Sequence, residues 1–333
     1  MTESQNPPLG PQKVAIILIP GFALTSFSLA VEALSVANLL GNAELYDYRI
    51  YAGTNNTTDL KAQGEVHSSN NVPVKTSGNF REIENADIIC LCAYQNAPLH
   101  NDPHLFKILT KHYKQGSRLI SLSSGSFLLA RAGLLSGLSC TVTAEQASVF
   151  RELYPQIPLQ ENLYSISGRI FTCGGGATAL DLMLYIIGKD YGRDFAFQVS
   201  ERFQLDRVRS HEEIQASHKY LRLRMKSATL GAAIEIMENN IEHPYSIEQL
   251  ANRIGSTTRR LEIAFRKHLN TSPNKYYLKL RLEFARKLIE ETSLSMAAVA
   301  QAAGFTSQSY LARCFRQQFN VSPSSFRVSD RNV

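Results

Sequence analysis

Residues 117–135 read SRLISLSSGSFLLARAGLL. The apolar run that ends at Leu122 is typical of a buried strand, the small residues 123–126 of a sharp turn, and the apolar residues after them of a helix. Several α/β enzymes present a nucleophile on such a strand–turn–helix elbow. This stretch therefore indicates an α/β fold, and it makes Ser123 and Ser124 candidates for catalysis or for ligand binding.

The same alternation of short apolar runs and amphipathic stretches extends to about residue 190. Near-continuous apolar runs predict strands that are covered on both faces, at 13–19, 48–52, 86–93 and 117–122. Between and after them we expect helices at 24–40, 102–115, 177–188 and 194–205, and a hairpin at 164–172. This order predicts a three-layer, flavodoxin-like α/β domain with a mostly parallel sheet.

A chain of 333 residues is long enough for two domains. We expect a disordered tail at 1–12, an α/β domain at 13–205, a charged linker at 206–226 and an all-helical domain at 227–333. The formal net charge is +1 for residues 1–226 and +5 for residues 227–333. A basic last third favours nucleic acid as a partner only weakly, because solvated basic faces are common.

Composition argues against several classes of protein. The first apolar run, 14–19, is too short for a signal core or a membrane span, so we expect a cytoplasmic protein without membrane contact. The five cysteines form no C-x-x-C pair, which argues against a disulfide framework and a zinc site. His100 and His104 have helical spacing, but Pro103 lies between them. We therefore expect no metal and no cofactor.

An internal repeat occupies the last third. Residues 254–273 match residues 303–323, and six positions recur 50 residues later: Leu261, Phe265, Arg266, Asn270, Ser272 and Pro273. Each copy reads as a short helix, a glycine-containing turn and a second helix, which is the pattern of a helix-turn-helix motif. Two copies are too few for a solenoid, which needs about three or more. They predict two such motifs joined by a helix at 276–290.

The second helix of each copy has an outward face that suits a DNA groove. Helical periodicity turns outward Arg259, Glu262, Ile263 and Arg266 in the first copy, and Gln308, Ser309, Ala312, Arg313 and Arg316 in the second. Arginine pairs with guanine, glutamine with adenine, and hydroxyls with either base. A helical bundle with a merely solvated outer face is the alternative, but a basic face that occurs twice at this spacing favours double-stranded DNA.

The last 100 or so residues resemble the DNA-binding domain of AraC-type regulators. The matching segments occur in the family's order: SIEQLA, RRLExxFR, TSPxxY, LRLExARxL, VAxxxGF, SxSYLxRxFRxxF and VSPSSFR. The resemblance implies two recognition helices in successive major grooves. It carries base-facing roles to Arg259, Arg260, Glu262, Ile263, Gln308, Ser309 and Arg313. Ile263 stands where relatives often have arginine, and its side chain could contact a thymine methyl group.

The first 200 or so residues resemble the DJ-1/PfpI-like, class I glutamine-amidotransferase-like domain that some AraC-type regulators carry as a sensor. The matching segments are ILIPGF (17–22), VEALxVAN (31–38), LLARAGLLSG (128–137) and FTCGGGATALDLML (171–184). In the enzymes of that superfamily the residue at Ser123 is cysteine, and its histidine partner would fall near Thr143. No histidine lies between 112 and 211 in this chain.

A serine nucleophile needs a base within hydrogen-bond reach, and the elbow lacks the family's histidine. We therefore expect a ligand site instead of catalysis, with free elbow amides and the helix end binding a carboxylate. The candidate ligand-binding residues are Glu32, Tyr94, Ser123, Ser124, Thr143 and Glu145. For Glu32 and Glu145, binding of an ammonium group and simple exposure to solvent are both open.

Together these features predict a ligand-responsive transcription regulator, mainly an activator. The sensor resembles the subgroup that responds to arginine, glycine betaine, carnitine and similar amines, which implies an amino acid or quaternary amine as the effector. We also expect a homodimer formed through the N-terminal domain, with RNA polymerase as a further candidate partner. The alternatives are a hydrolase or amidotransferase that uses Ser123, fused to a DNA-binding module, and a scaffold that senses nothing.

Overall fold

The computed structural model describes residue 8 and residues 10–53, 64–205, 207–213, 215 and 227–329. The chain divides into two compact units, residues 1–215 and 216–333. Most of the predicted tail and linker therefore lies outside the described residues. Gln12, which the sequence assigned to the tail, opens the first strand, because its N–H donates to the carbonyl oxygen of Leu45 at 2.8 Å.

A seven-stranded sheet forms the centre of the first unit, in the order β5-β2-β1-β6-β7-β9-β8. Its strands are β1 (Gln12–Leu18), β2 (Tyr46–Ala52), β5 (Gly78–Asn79), β6 (Ile88–Ala93), β7 (Arg118–Ser123), β8 (Tyr164–Ser167) and β9 (Ile170–Cys173). All neighbours run parallel except β8 and β9, which form the predicted hairpin. A separate antiparallel pair, β3 (Glu65–His67) and β4 (Pro73–Lys75), was not predicted.

Helices cover both faces of this sheet. They are α1 (Leu24–Gly41), α2 (Pro103–Lys114), α3 (Ser126–Arg131), α4 (Ala147–Leu153), α5 (Thr178–Tyr191) and α6 (Arg193–Glu201), with a 3-10 turn at Phe80–Glu82. Alternate residues of β1, such as Ile16 and Leu18, share one core with α1, α5 and α6. The intervening Ile17 is also fully buried, so the other face is covered too. The predicted three-layer α/β fold is confirmed.

Helix α1 is, among the residues described, the one helix long and apolar enough to cross a membrane. Its Phe27, Ala30, Ala33, Leu34 and Ala37 pack into the sheet core instead. It also packs against α5 and α6. These apolar residues of α1 are thus part of the core of the first unit.

A partly buried ion pair fixes the start of β7 to the end of α5. The Arg118 guanidinium donates to both carboxylate oxygens of Asp190, at 2.7 and 2.8 Å, and the Tyr46 hydroxyl donates to the same carboxylate at 3.0 Å. Burial and this carboxylate together raise the pKa of Tyr46 far above its ordinary value. Because β7 ends in the elbow and α5 follows the glycine loop, this network holds two elements that position the site.

The described part of the second unit is entirely helical, as predicted. It contains α7 (Ala228–Asn239), α8 (Ile247–Arg253), α9 (Thr258–Leu269), α10 (Pro273–Glu291), α11 (Met296–Ala302), α12 (Gln308–Phe319) and α13 (Pro323–Ser329). Side chains of Ser246, Thr257, Ser272, Ser295 and Ser307 each accept a backbone N–H at a helix start. The pairs α8–α9 and α11–α12 are the two predicted helix-turn-helix motifs, and α10 joins them.

The described end of the predicted linker packs on the first unit. The N–H of Leu163 donates to the carbonyl oxygen of Glu213 at 2.7 Å, and the N–H of Gln215 donates to that of Glu161 at 2.8 Å. The charged composition of this stretch predicted that the connection between the domains begins at residue 206. In the structure its backbone amides and carbonyls instead extend the hydrogen bonding of the first unit up to Gln215.

Candidate functional site

Strand β7 ends at Ser123 in a left-handed conformation, with φ of 58°. A non-glycine residue in this region stores about 1–3 kcal/mol of strain, so its surroundings must hold it in place. Ser123 is 2% exposed, and the buried helix α3 begins three residues later. The predicted elbow is therefore present, with Ser123 at its apex.

The Ser123 hydroxyl has a serine partner, not a base. Its oxygen lies 2.9 Å from the hydroxyl oxygen of Ser26, near the start of α1. Ser26 in turn accepts the N–H of Gly176 at 2.7 Å. Gly175, with φ of 81°, closes over this pair, and a Cβ added there would lie 2.0 Å from the Ser123 hydroxyl oxygen. Only glycine allows the loop to approach the elbow this closely.

The elbow amides are bonded within the protein, contrary to the expectation of free donors. Ser124 N–H donates to the carbonyl oxygen of Ala93 at 3.0 Å, and Gly125 N–H donates to that of Leu122 at 3.2 Å. The Ser124 hydroxyl is fully buried and donates to Oε1 of Gln146. Ser124 thus anchors the elbow to the segment before α4, and its hydroxyl does not point toward a ligand.

A cleft of about 460 Å³ opens beside Ser123, at the carboxyl ends of the parallel strands. It is lined by the first residues of α1, the elbow, the glycine loop and two short loops: Ala23, Leu24, Thr25, Ser26, Ser69, Asn70, Tyr94, Ser123, Thr143, Ala144, Glu145 and Gly174–Gly176. Helix α1 begins without a side-chain cap and without an acidic residue in its first turn. Its positive end therefore faces the cleft.

Four of the six predicted ligand residues meet in this cleft, namely Tyr94, Ser123, Thr143 and Glu145. The Tyr94 hydroxyl donates to Oε2 of Glu145 at 2.9 Å, which joins the end of β6 to the loop before α4. The hydroxyl oxygen of Thr143 is buried and has no hydrogen-bond partner among the residues described.

Two predicted ligand residues lie elsewhere. Ser124 is buried behind the elbow, as described above. Glu32 is exposed on α1, eight residues beyond the helix start, and does not line the cleft. Glu32 is the charged residue of an apolar stretch because it lies on the solvent-facing side of α1. The acidic residue of the cleft is Glu145.

No histidine lines the cleft in the part of the chain that the structure describes. His100, the remaining candidate for a base, is 2% exposed and lies outside the cleft, and burial lowers its pKa to about 4. Burial also raises the pKa of the Cys173 thiol to about 11. Without an activating base, Ser123 remains a neutral hydroxyl suited to hydrogen bonding. Among the described residues, no three acidic, histidine or cysteine side chains form a possible metal site.

The second unit presents the outward side chains predicted for both recognition helices. Ala312 is half-buried, and the other predicted side chains are exposed: Arg259, Arg260, Glu262, Ile263 and Arg266 on α9, and Gln308, Ser309, Arg313 and Arg316 on α12. Ile263 is 56% exposed, so its apolar side chain lies on the outward face of α9. On the inward faces of α9 and α12, Leu261, Phe265, Leu311 and Phe315 are fully buried.

Arg281 of α10 holds the turn of the second motif. Its guanidinium donates to the carbonyl oxygens of Ala303 and Gly304, at 2.9 and 2.5 Å, and stacks on Phe305 at 4.4 Å. Gly304 has φ of 70°, and a Cβ there would lie 2.3 Å from the carbonyl oxygen of Ile241. These contacts fix where α12 begins and therefore the direction in which its exposed face points.

Two residues of the first-unit site, and one that lies behind a wall of its cleft, escaped sequence reasoning. The sequence indicated Ser26 only weakly, since a hydroxyl in the apolar start of α1 is the one feature that sets it apart. Gly175 lies in the GGG run, which the sequence explains equally well by close packing of α5. Gln215, described below, gave no signal, because its partners are backbone groups far away in the chain.

Comparison with known proteins agrees with this geometry. A family model described as a helix-turn-helix domain matches residues 250–329. The HTH-type transcriptional regulator CdhR of Pseudomonas aeruginosa is 36% identical over 312 residues, which cover 94% of this chain and 90% of that protein. GbdR of the same species is 32% identical over 317 residues, covering 95% of this chain and 84% of that protein.

Solved structures match the fold of the first unit. An AraC family transcriptional regulator from Pseudomonas putida superposes with a TM-score of 0.51 at 24% identity, covering 58% of this chain and all of that chain. Drosophila melanogaster DJ-1beta gives a TM-score of 0.50 at 16% identity, covering 59% of this chain and all of that one. At these identities the likeness concerns the fold alone.

The relatives span nearly the full chain and are named as transcriptional regulators, which argues against the fused-enzyme alternative. Their similarity includes the elbow region as well as the two helix-turn-helix motifs. The chain belongs to the AraC family of sequence-specific, DNA-binding transcriptional regulators, and its N-terminal unit has a DJ-1-like fold.

Proposed function

We propose that the first unit binds a small amino acid or quaternary amine in the cleft beside Ser123, and that this binding changes how the second unit engages DNA. The observation that carries the proposal is the composition of the cleft. It has a strained serine without a base, a tyrosine–carboxylate pair and an uncapped helix start, all at the carboxyl edge of a parallel sheet.

The two sides of the cleft suit the two ends of a zwitterion. The uncapped start of α1 offers hydrogen-bond donors to a carboxylate, and so does the one hydroxyl hydrogen that the Ser26–Ser123 hydrogen bond leaves over. Glu145 and the ring of Tyr94 offer a negative charge and an aromatic face to an ammonium group. The buried Thr143 hydroxyl lies in the same cleft and would gain a partner from a bound polar ligand.

In the second unit, we propose that the exposed residues of α9 and α12 bind successive major grooves of double-stranded DNA. The arginines would bind guanine or phosphate, Gln308 would bind adenine, and Ile263 would contact a thymine methyl group. The protein would act in the cytoplasm as a homodimer formed through the first unit, and would mainly activate amine catabolic genes, with RNA polymerase as a partner.

Thermal shift of the full-length protein tests effector binding. The panel contains L-arginine, glycine betaine, L-carnitine and other amino acids at millimolar concentration. A ligand at about 100 times its Kd stabilises the state it binds by about 2.7 kcal/mol, so at least one compound should raise the Tm clearly. No shift with any compound, in protein shown to be folded, would contradict the proposal.

Variants of the cleft then locate the site. Glu145→Gln keeps the size of the side chain but removes its charge, so affinity for the active amine should fall about tenfold or more. Ser123→Ala should weaken binding without creating or removing any ester or amide turnover. Ser136→Ala, an exposed serine outside the cleft, is the matched control and should bind as the wild type does.

A further inference from the structure

The side chain of Gln215 lies behind one wall of the cleft and forms hydrogen bonds to backbone groups of that wall. Its side-chain Nε2 donates to the carbonyl oxygens of Val142 and Asn162, at 2.9 and 3.0 Å. Its Oε1 accepts the N–H of Ala144 at 3.1 Å. Backbone groups from two loops thus engage both ends of a single amide side chain.

The groups that hold Gln215 belong to segments that also line the cleft. The loop of Val142 and Ala144 carries Thr143 and Glu145 into the cleft. On the other side, a Cβ added to the cleft residue Gly174 would lie 2.6 Å from the Gln215 amide. A movement of either wall therefore changes the space or the hydrogen bonds of Gln215.

The chain just before Gln215 is anchored separately. The Arg209 guanidinium donates to both oxygens of the Asp181 carboxylate, at 3.1 and 2.6 Å, and Asp181 is 2% exposed on α5. Glu213 accepts the N–H of Leu163 through its carbonyl oxygen. Gln215 is the last residue of the first unit, and it is described with its partners.

We infer that Gln215 relays occupancy of the cleft to the DNA-binding unit. An effector that engages Glu145 or Thr143 displaces the loop of Val142 and Ala144. This displacement alters the hydrogen bonds of Gln215, the last residue of the first unit. This inference rests on the proposed function of the cleft. Because coupling free energies are reciprocal, DNA bound at the second unit must also alter this loop.

Reciprocity allows a test that needs no effector. Hydrogen exchange is measured on the full-length protein with and without a DNA duplex selected in vitro for binding to the wild type. In the wild type, DNA should change exchange in residues 142–145 and 213–215 severalfold, and Gln215→Ala should abolish the change in 142–145. Glu212→Ala, an exposed neighbour in the same segment, is the matched control and should behave as the wild type.

Two results would overturn the inference: no effect of DNA on the loop in the wild type, or a full effect in Gln215→Ala. If Gln215→Ala fails to fold by circular dichroism, Gly174→Ala replaces it, because the added Cβ displaces the Gln215 amide while the residue itself remains. Gly174→Ala should raise exchange at the Ala144 amide and also abolish the response to DNA.

A second arm separates this inference from the proposed function. If an amine of the panel binds, Gln215→Ala should bind it within about threefold of the wild type, yet its DNA affinity should no longer respond to that amine. If Gln215→Ala bound the amine and its DNA affinity still responded to the amine as in the wild type, the relay would be contradicted. Absence of binding in the wild type would count against the effector proposal alone, since the exchange experiment still tests the relay.

Discussion

The hydroxyl oxygens of Ser26 and Ser123 lie 2.9 Å apart, and the pair replaces the nucleophile and base that an elbow of this shape can carry. Gly176 N–H donates to Ser26, and no histidine reaches the cleft among the described residues. The elbow thus retains the strained geometry of an enzyme site while its chemistry is limited to hydrogen bonding. This combination suits a binding site that releases its ligand unchanged.

Gly175→Ala should abolish effector binding and destabilise the first unit. The new Cβ would lie 2.0 Å from the Ser123 hydroxyl oxygen, and alanine is strained at φ of 81°. We expect a loss of about 1–3 kcal/mol in the free energy of unfolding, measured by urea denaturation. Gly168→Ala is the control, since it has a similar φ of 62° but nothing within 4 Å of a Cβ. If both variants lost the same stability, strain alone would explain the effect.

Arg313→Ala should weaken specific DNA binding by about 1–3 kcal/mol and relax discrimination at one base position, as expected for loss of a base-contacting arginine. Arg313 is exposed on α12 and its guanidinium lies 5.2 Å from the Tyr310 ring. Lys279→Ala removes the same charge from α10, outside both recognition helices, and should preserve base discrimination. Fluorescence anisotropy with matched and mutated duplexes measures both. Wild-type affinity should also fall steeply with salt, and a flat profile would argue against phosphate contacts.

Arg281→Ala should destabilise the second unit and abolish DNA binding. The variant leaves the carbonyl oxygens of Ala303 and Gly304 without their charged donor and removes the stacking on Phe305. Hydrogen bonds to charged groups contribute about 1.5–3 kcal/mol, so a loss of about 2 kcal/mol is expected in thermal or urea unfolding. Lys279→Ala, two residues before Arg281 in α10, should stay within about 0.5 kcal/mol of the wild type. Equal stability of the two variants would contradict this role of Arg281.

His100→Leu should make the free energy of unfolding depend less on pH below about pH 6.5. Burial lowers the pKa of His100 from 6.5 to about 4, so the folded protein disfavours the charged ring. The neutral ring's stabilising contribution is present above pH 6.5 and is lost as the pH falls toward 4. Between pH 7.5 and 5 the wild type should lose about 2 kcal/mol through this group.

Circular dichroism in urea at several pH values measures this difference. Neither ring nitrogen of His100 has a hydrogen-bond partner among the described residues, so leucine should cost little at pH 7.5. His104→Leu, an exposed histidine nearby, should leave the pH profile unchanged. If the free energy of unfolding of His100→Leu fell with pH as steeply as that of the wild type, His100 would not be the source of the acid destabilisation.

The sequence by itself determined the α/β architecture of the first unit and the side chains on the outward faces of α9 and α12. Near-continuous apolar runs identified β1, β6 and β7 as strands covered on both faces, because such strands bury consecutive residues. Helical periodicity likewise identified the exposed side chains of α9 and α12, since burial of Leu261 and Phe265 fixes which side of α9 faces out. Both inferences depend on local periodicity, which the sequence records directly.

Only the tertiary structure decided how the cleft is built. Ser26 meets Ser123 across 97 positions, and Gln215 bonds to Val142 across 73, through contacts that local pattern does not encode. The same holds for Ser124 and Glu32, whose neighbours in the chain suggested a ligand but whose side chains point into the core and into solvent. Hydrogen bonds between distant loops depend on how the whole sheet and its helices pack, and that packing exists only in the folded chain.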